Sequence, residues 1–360
     1  MTKKFLFAIF LAITSLLLTS RTVLAADSDF ITYEPVKGPG AGRHIVFLSG
    51  DEEYRSEESL PMLAKILSQR HGFKCTVLFS VDADGTINPE RGESLSNPDA
   101  LDSADAIVML LRFRHWNEAT MKKFQAAVNR GVPIIGLRTS THAFNGLPKA
   151  GGFEEYNFNQ NGGWGKKVLG ETWVSHWGNH KVEATHGEIE AVARKNALLN
   201  GVSDVFANTD VYEAYPPADA TILLRGIVLK GMKPDEAPAT YSKKRSSDGQ
   251  EQSVNNPAMA VAWSREVKNE AGTVNRVVCT TMGAATDLQN EGLRRLVVNG
   301  VYWGLKLHVP RKANVELVDA YEPNMYGFGG YRKGIKATDH ALGLKLRESS
   351  AEADKKAAAK

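Results

Sequence analysis

Three short segments concentrate side chains that move protons and grip polar ligands. They are Ser49-Gly50-Asp51-Glu52-Glu53-Tyr54-Arg55, Arg112-Phe113-Arg114-His115-Trp116 and Arg138-Thr139-Ser140-Thr141-His142. Imidazole exchanges protons near neutral pH. Guanidinium groups bind oxyanions and hydroxyls through charge-assisted hydrogen bonds. His142 or His176 would be the general acid or base. Arg138 and Arg112 are assigned to ligand hydroxyls or an enolate-like charge. Asp51 or Glu52 would orient the imidazole or ligate a metal. Tyr54 and Arg114 complete the polar set. The competing reading is helix capping plus surface ion pairs, and it is preferred for Glu57 and Glu58.

His176, His180 and His186 form a second group in Trp-Val-Ser-His-Trp-Gly-Asn-His. Two imidazoles four residues apart share a face only on a helix, and this segment reads as a turn entering a strand. The zinc motif's Glu after the first His is replaced by Trp177. No metal ligands are assigned, and a divalent metal stays open as an alternative. Trp116, Trp164, Trp173 and Trp177 fall in turns and loops, where an indole plane could stack on a sugar ring. The alternative is that they pack the loops onto a sheet. Asp82-Ala83-Asp84-Gly85 is a turn rather than a calcium loop, because its Gly is fourth and not sixth.

Positioning these groups requires strands that end on one edge. HIVFLSG (44–50), FKCTVLF (73–79), AIVMLLR (106–112) and VPIIGL (132–137) read as strands. Helices are expected over 56–70 and 117–130, the latter capped by Asn117 and stopped by Gly131. Apolar strands alternating with helices predict an α/β, flavodoxin-like doubly wound, mostly parallel sheet with helices on both faces. Ligands of such sheets bind beyond the strand carboxyl ends, which is where the three charged segments fall. Later strands are expected near 181–185, 211–215, 221–229, 258–264 and 275–281, with a closing helix over 292–307. Residues 146–180 read as a structured insertion and 231–257 as a flexible loop. A lead-in covers 26–43, an extension with a Tyr/Gly cluster covers 308–345, and 346–360 reads as a disordered tail.

The chain has 360 residues, with 44 Lys plus Arg against 41 Asp plus Glu. Lys3, Lys4 and Arg21 supply the whole excess of three within residues 1–25, so no basic footprint for nucleic acid remains. Those 25 residues have the layout of a secretory signal peptide: a basic start, an apolar run from Phe5 to Leu18, and a small-residue step ending at Ala25. A periplasmic or secreted location is expected, without stable membrane insertion once the signal is cleaved. Cys75 and Cys279 lie in separate apolar strands and are expected as buried free thiols.

The run Gly-Leu-Arg-Thr-Ser-Thr-His-Ala-Phe (136–144) after an apolar strand resembles the trehalose-utilisation (ThuA-like) family. That family belongs to the class I glutamine-amidotransferase-like superfamily. The segment opening at Ser49, the Arg112–Trp116 turn and Asn-Thr-Asp-Val-Tyr-Glu-Ala-Tyr (208–215) extend the resemblance over roughly 44–307. It implies a flavodoxin-like fold and a role in carbohydrate metabolism. It also adds His176 as a catalytic candidate, and His186, Asp210 and Tyr212 as ligand-binding candidates beside Trp116 and Trp177. The chain departs from true amidotransferases. Arg138 stands at the position of the nucleophilic Cys, and Gly283-Ala284 lies where the partner His is expected. Acyl transfer needs both groups within hydrogen-bond reach, so glutamine hydrolysis is excluded. The expectation is an enzyme acting on a small carbohydrate, a keto-sugar or disaccharide, as isomerase, lyase or hydrolase. Two alternatives are a non-catalytic sugar-binding module and a His-based metal-dependent hydrolase.

Overall fold

The computed structural model describes residues 28–346. The signal-peptide reading of 1–25 and nearly all of the tail fall outside the described residues. A ten-stranded sheet runs in the order β1-β3-β2-β4-β5-β14-β13-β10-β7-β8. Its strands are β1 (Phe30–Tyr33), β2 (His44–Gly50), β3 (Lys74–Leu78), β4 (Ala106–Leu111), β5 (Ile134–Leu137), β7 (Thr185–Ile189), β8 (Val205–Ala207), β10 (Thr221–Val228), β13 (Met259–Lys268) and β14 (Val274–Thr280). Two small ladders pair β6 (Ser175–His176) with β9 (Tyr212–Glu213), and β11 (Ser242–Lys244) with β12 (Glu251–Ser253).

The strands β3, β2, β4, β5 and β14 are mutually parallel. Numbered along the chain, their order is the flavodoxin-like 2-1-3-4-5, with its switch point between β2 and β4. β1, β13, β10, β7 and β8 add antiparallel neighbours, so the complete sheet is mixed. All six β4 residues are buried, because both faces of the parallel half are covered. Val108 and Leu110 face one core with α1 (Ser56–His71) and α3 (Glu291–Gly304). Ile107, Met109 and Leu111 face the other core with α2 (Glu118–Asn129). This alternation is the period-two signature of a strand.

Helix ends follow their local chemistry. Asn117 Oδ1 accepts from the Thr120 N–H at 3.0 Å, and Asn290 caps α3 through Leu293 N at 2.9 Å. Gly72 closes α1 at φ 76°, and a Cβ there would lie 2.6 Å from the Val36 carbonyl oxygen. Cys75 and Cys279 are free and buried in opposite cores. Burial pushes both thiols up, away from thiolate chemistry.

Two segments differ from the sequence reading. The strand expected at 181–185 starts at Thr185, because Asn179–Glu183 forms a turn closed by N–H bonds onto the Asn179 carbonyl. Residues 231–257 carry the β11–β12 hairpin. The insertion over 146–180 contributes Phe153, Trp164, Val168 and Leu169 to the core that covers α2. No helix among the described residues is long and apolar enough to cross a membrane.

Candidate functional site

The turns after β2, β4 and β5 open on one edge, as parallel strands require, and side chains tie them together. Glu52 after β2 pairs with Arg112 and with Arg114 (2.9 Å) after β4, across the switch point. Asp51 after β2 accepts from the Thr139 hydroxyl after β5. It also accepts from the N–H groups of Glu53 and Tyr54, at 2.7 and 2.5 Å. Asp51 is fully buried with its oxygens bonded to the turn itself and to Thr139, so it holds the turn after β2 in shape. Burial pushes Asp51 and Glu52 above the usual carboxylate range.

Arg138 occupies the elbow after β5 at φ 40°, a left-handed backbone that a non-glycine residue seldom adopts. Its side chain is fully buried. It donates to the carbonyl oxygens of Asp210 and Thr281 at 2.7 Å each, and to Asp210 Oδ1 at 3.0 Å. The Tyr212 and Tyr54 rings lie 3.7 and 4.8 Å from its guanidinium carbon. Burial pushes the guanidinium's pKa down, but Tyr212, Tyr54 and Asp210 raise it well above its ordinary value, so the side chain is a buried cation. Arg138 is therefore an internal cation that positions Asp210, not a group that reaches a ligand. Arg114 is likewise buried, spending its donors on Glu52 and on the carbonyls of Arg112 and Pro89.

Asp210 lies in the loop between β8 and β9. Asp287 fixes that loop through Thr209 N and Oγ1, at 3.0 and 2.7 Å. The buried Asp210 carboxylate collects two imidazoles: His176 Nδ1 at 2.7 Å on Oδ2, and His180 Nδ1 at 3.0 Å on Oδ1. Burial would raise the Asp210 pKa, but Arg138, His176 and His180 hold it well below the carboxylate range. His180 Nε2 faces Glu53 Oε1 at 3.2 Å. Its bonds to Asp210 and Glu53 raise the imidazole to about 9. The helical spacing thought necessary for this pair is absent. His176 sits in β6 opposite Tyr212, and His180 in the turn beyond it. The two rings converge because one carboxylate from another loop stands between them. The ligand atoms of His176, His180 and Asp210 all lie within 4.8 Å of one another, so this trio could hold a metal ion.

β6 is held from the far side. Lys243 of β11 donates to the His176 and Trp177 carbonyls at 2.9 and 3.2 Å. The buried Glu213 accepts from Ser175 Oγ at 2.8 Å and from the N–H groups of Ser246 and Ser247. The β11–β12 hairpin thereby locks the strand that carries His176.

His142 closes the turn after β5. Burial first, then the charges of Arg112 and Arg138, lower its pKa far below the ordinary value, so the ring is neutral near pH 7. Its Nδ1 meets Thr141 Oγ1 at 3.2 Å, and its Nε2 has no hydrogen-bond partner among the described residues. Around the ring stand Phe113 (5.2 Å), Trp173 (5.8 Å), Phe158 (6.3 Å) and Tyr212 (6.4 Å). Phe113, Phe158 and Trp173 are only partly buried and form an aromatic rim. Arg112, also part-exposed, lies over Phe113 at 4.3 Å and beside Phe328 at 5.0 Å.

Trp116 and Trp177 do not stack on a ligand: they are 1% and 0% exposed. Trp116 packs edge-on to Phe124 and Phe144, while Trp177 Nε1 donates to the Val254 carbonyl at 2.8 Å. His186 lies on β7 between Phe206 of β8 and Ile227 of β10, and none of the site residues is among its strand partners.

Several members were given no role of their own in the sequence reading. Glu53 was named only within its segment and His180 only within the histidine group; the structure joins them to each other, and His180 to Asp210. Tyr326, Gly327 and Phe328 come from the extension. Tyr326 stacks on Tyr54 at 5.2 Å and contacts His180 at 5.6 Å. Gly327 donates its N–H to the Glu53 carbonyl at 2.8 Å, and its own carbonyl accepts from the Arg55 guanidinium. A Cβ on Gly330 would stand 2.5 Å from the Arg55 guanidinium. The Tyr/Gly cluster was the available signal, since glycines let backbone approach closely.

No family model matches the chain, and no curated protein matches it. Similar solved structures include a ThuA-like protein from Parabacteroides merdae ATCC 43184, with 12% identity and a TM-score of 0.46 over 73% of this chain and 90% of that chain. A ThuA-like protein from Bacteroides uniformis ATCC 8492 shows 15% identity and a TM-score of 0.43 over 75% and 94% of the two chains. The glutaminase domain of Trypanosoma brucei CTPS shows 12% identity and a TM-score of 0.34 over 76% and 98%.

Proposed function

We propose that this chain is an exported enzyme of carbohydrate metabolism that moves a proton on a keto-sugar or a related small sugar. The observation that carries this reading is the pairing of two polar groups beneath one aromatic rim. One is neutral His142 with an unpaired Nε2. The other is the buried Asp210 bearing His176 and His180. Sugar rings present C–H faces that suit Trp173, Phe113 and Phe158, and hydroxyls that suit charged donors and acceptors. A proton on the carbon beside a carbonyl would pass to His142 Nε2. The negative charge left on the carbonyl oxygen would be met by Arg112, the one arginine of the three that is not fully enclosed. The His176–Asp210–His180 cluster would hold the remaining oxygens. Acyl transfer from glutamine is not available to this site, because Arg138 fills the elbow and both thiols are buried. Export rests on the layout of residues 1–25.

The test is a crystal soak with a panel of sugars and keto-sugars. Density is expected between His142, His176 and Trp173. Density confined to other surfaces, or none with any sugar, would remove this reading.

A further inference from the structure

The cluster on Asp210 has a geometry that hydrogen bonding alone does not require. Both carboxylate oxygens are used, one for each imidazole, and both imidazoles approach through Nδ1, at 2.7 and 3.0 Å. The outer nitrogen of His180 then meets a second carboxylate, Glu53, at 3.2 Å. A carboxylate behind a ligating histidine fixes its tautomer and strengthens it as a donor. Behind Asp210 stands Arg138, which orients the carboxylate from the opposite side. The His176 and His180 side chains remain 36% and 26% exposed, while the Asp210 carboxylate beneath them is closed off. Two imidazoles and one carboxylate on the floor, with solvent above, make a three-ligand site with open positions. Catalytic rather than structural metal sites have that form.

We infer that His176 Nδ1, His180 Nδ1 and the Asp210 carboxylate bind a divalent transition-metal cation of the Zn2+ type, with Glu53 as the outer-shell partner of His180. The inference rests on the proposed function in one respect: the open positions would take oxygens of the sugar. Nitrogen and oxygen donors in this ratio favour zinc and its first-row neighbours over Mg2+ or Ca2+, which take oxygen ligands. When the cation enters, each Nδ1 releases its proton to solvent and exchanges its hydrogen bond to Asp210 for the metal. His180 keeps its Nε2–H on Glu53. The turn after β2 thereby contributes to a site whose ligands all come from residues 176–210.

The experiment is calorimetric titration of ZnCl2 into the tag-free chain after EDTA treatment. Absorption of the Co2+ form is the second readout. One Zn2+ per chain is expected, with MgCl2 giving no comparable binding. Glu53→Gln should weaken zinc by ~10- to 100-fold, the usual cost of an outer-shell partner. His176→Ala and His180→Ala should weaken it further, and the exposed His308→Ala should leave it unchanged. Absence of zinc binding, or binding that survives both His176→Ala and His180→Ala, overturns the inference. Zinc failing to bind while sugar density forms beside His142 removes the cation and leaves the sugar reading intact. Zinc bound at these residues with no sugar density does the reverse.

Discussion

The Arg138–Asp210 pair is the point where fold and site depend on one interaction, and a double-mutant cycle isolates it. Both side chains are 0% exposed and their charges meet at 3.0 Å. At an effective dielectric of ~20, opposite charges ~4 Å apart attract by about 4 kcal/mol. Desolvation of two ions offsets much of that gain, so the pair as a whole adds little net stability. Losing one partner is different, because it strands the other charge in the interior. Asp210→Asn would leave the guanidinium with carbonyls and tyrosine rings but no counter-charge. Arg138→Met would leave the carboxylate with only its two imidazoles. Each single change is expected to cost about 3–5 kcal/mol. The double variant should lose much less than the sum, with a coupling of at least ~2 kcal/mol. Urea denaturation of all four proteins in EDTA measures this directly. Single variants within ~1 kcal/mol of wild type, or strictly additive losses, would refute the role given to Arg138 as a buried counter-charge.

Two further outcomes follow from other parts of the structure. Trp173→Ala should weaken binding of a soaked sugar about 10-fold, or ~1.4 kcal/mol, with little change in stability. Trp116→Ala should cost ~3–5 kcal/mol of stability and leave sugar affinity alone; calorimetry and urea midpoints separate the two, and the opposite pattern would reassign the rim. Glu57 is buried with neither carboxyl oxygen hydrogen-bonded, and burial raises its pKa from 4.5 to about 8. The folded state therefore holds the proton longer than the unfolded chain. Stability from this group is fully present below pH ~4.5, is lost as pH rises toward 8, and the loss totals roughly 4–5 kcal/mol. Glu57→Gln should flatten that decline between pH 5 and pH 8, and parallel urea midpoints for the two proteins would contradict it.

The parallel half of the fold was legible because burial on both faces leaves an unbroken apolar run, as in AIVMLL of β4. The caps at Asn117 and Gly72 were legible because their chemistry is local. The edge on which the site lies follows from the strand directions alone. The direction in which each charged side chain turns was not legible. Arg138 and Arg112 are the same residue type at equivalent strand ends. One is sealed by Asp210, 72 positions along the chain, and the other lies part-exposed against Phe113 and Phe328. Trp116 and Trp173 differ in the same way, because packing by α2 residues decides the first. His180 gains its place only through Asp210 and Glu53, partners that no spacing rule connects. The extension carrying Tyr326 and Phe328 has no periodicity, so its place over the site could be read only from its glycines.

Solvent exchange reads proton transfer by His142 directly, without knowledge of the final product. A keto-sugar incubated with the protein in D2O should gain deuterium at the carbon beside the carbonyl, seen by loss of that proton's NMR signal. His142→Gln should slow this exchange by ~10²- to 10⁴-fold, the usual contribution of a positioned base, while leaving the urea midpoint near that of wild type. Exchange at an undiminished rate in His142→Gln, or no exchange by wild type on any keto-sugar that binds beside Trp173, would rule out proton transfer by His142.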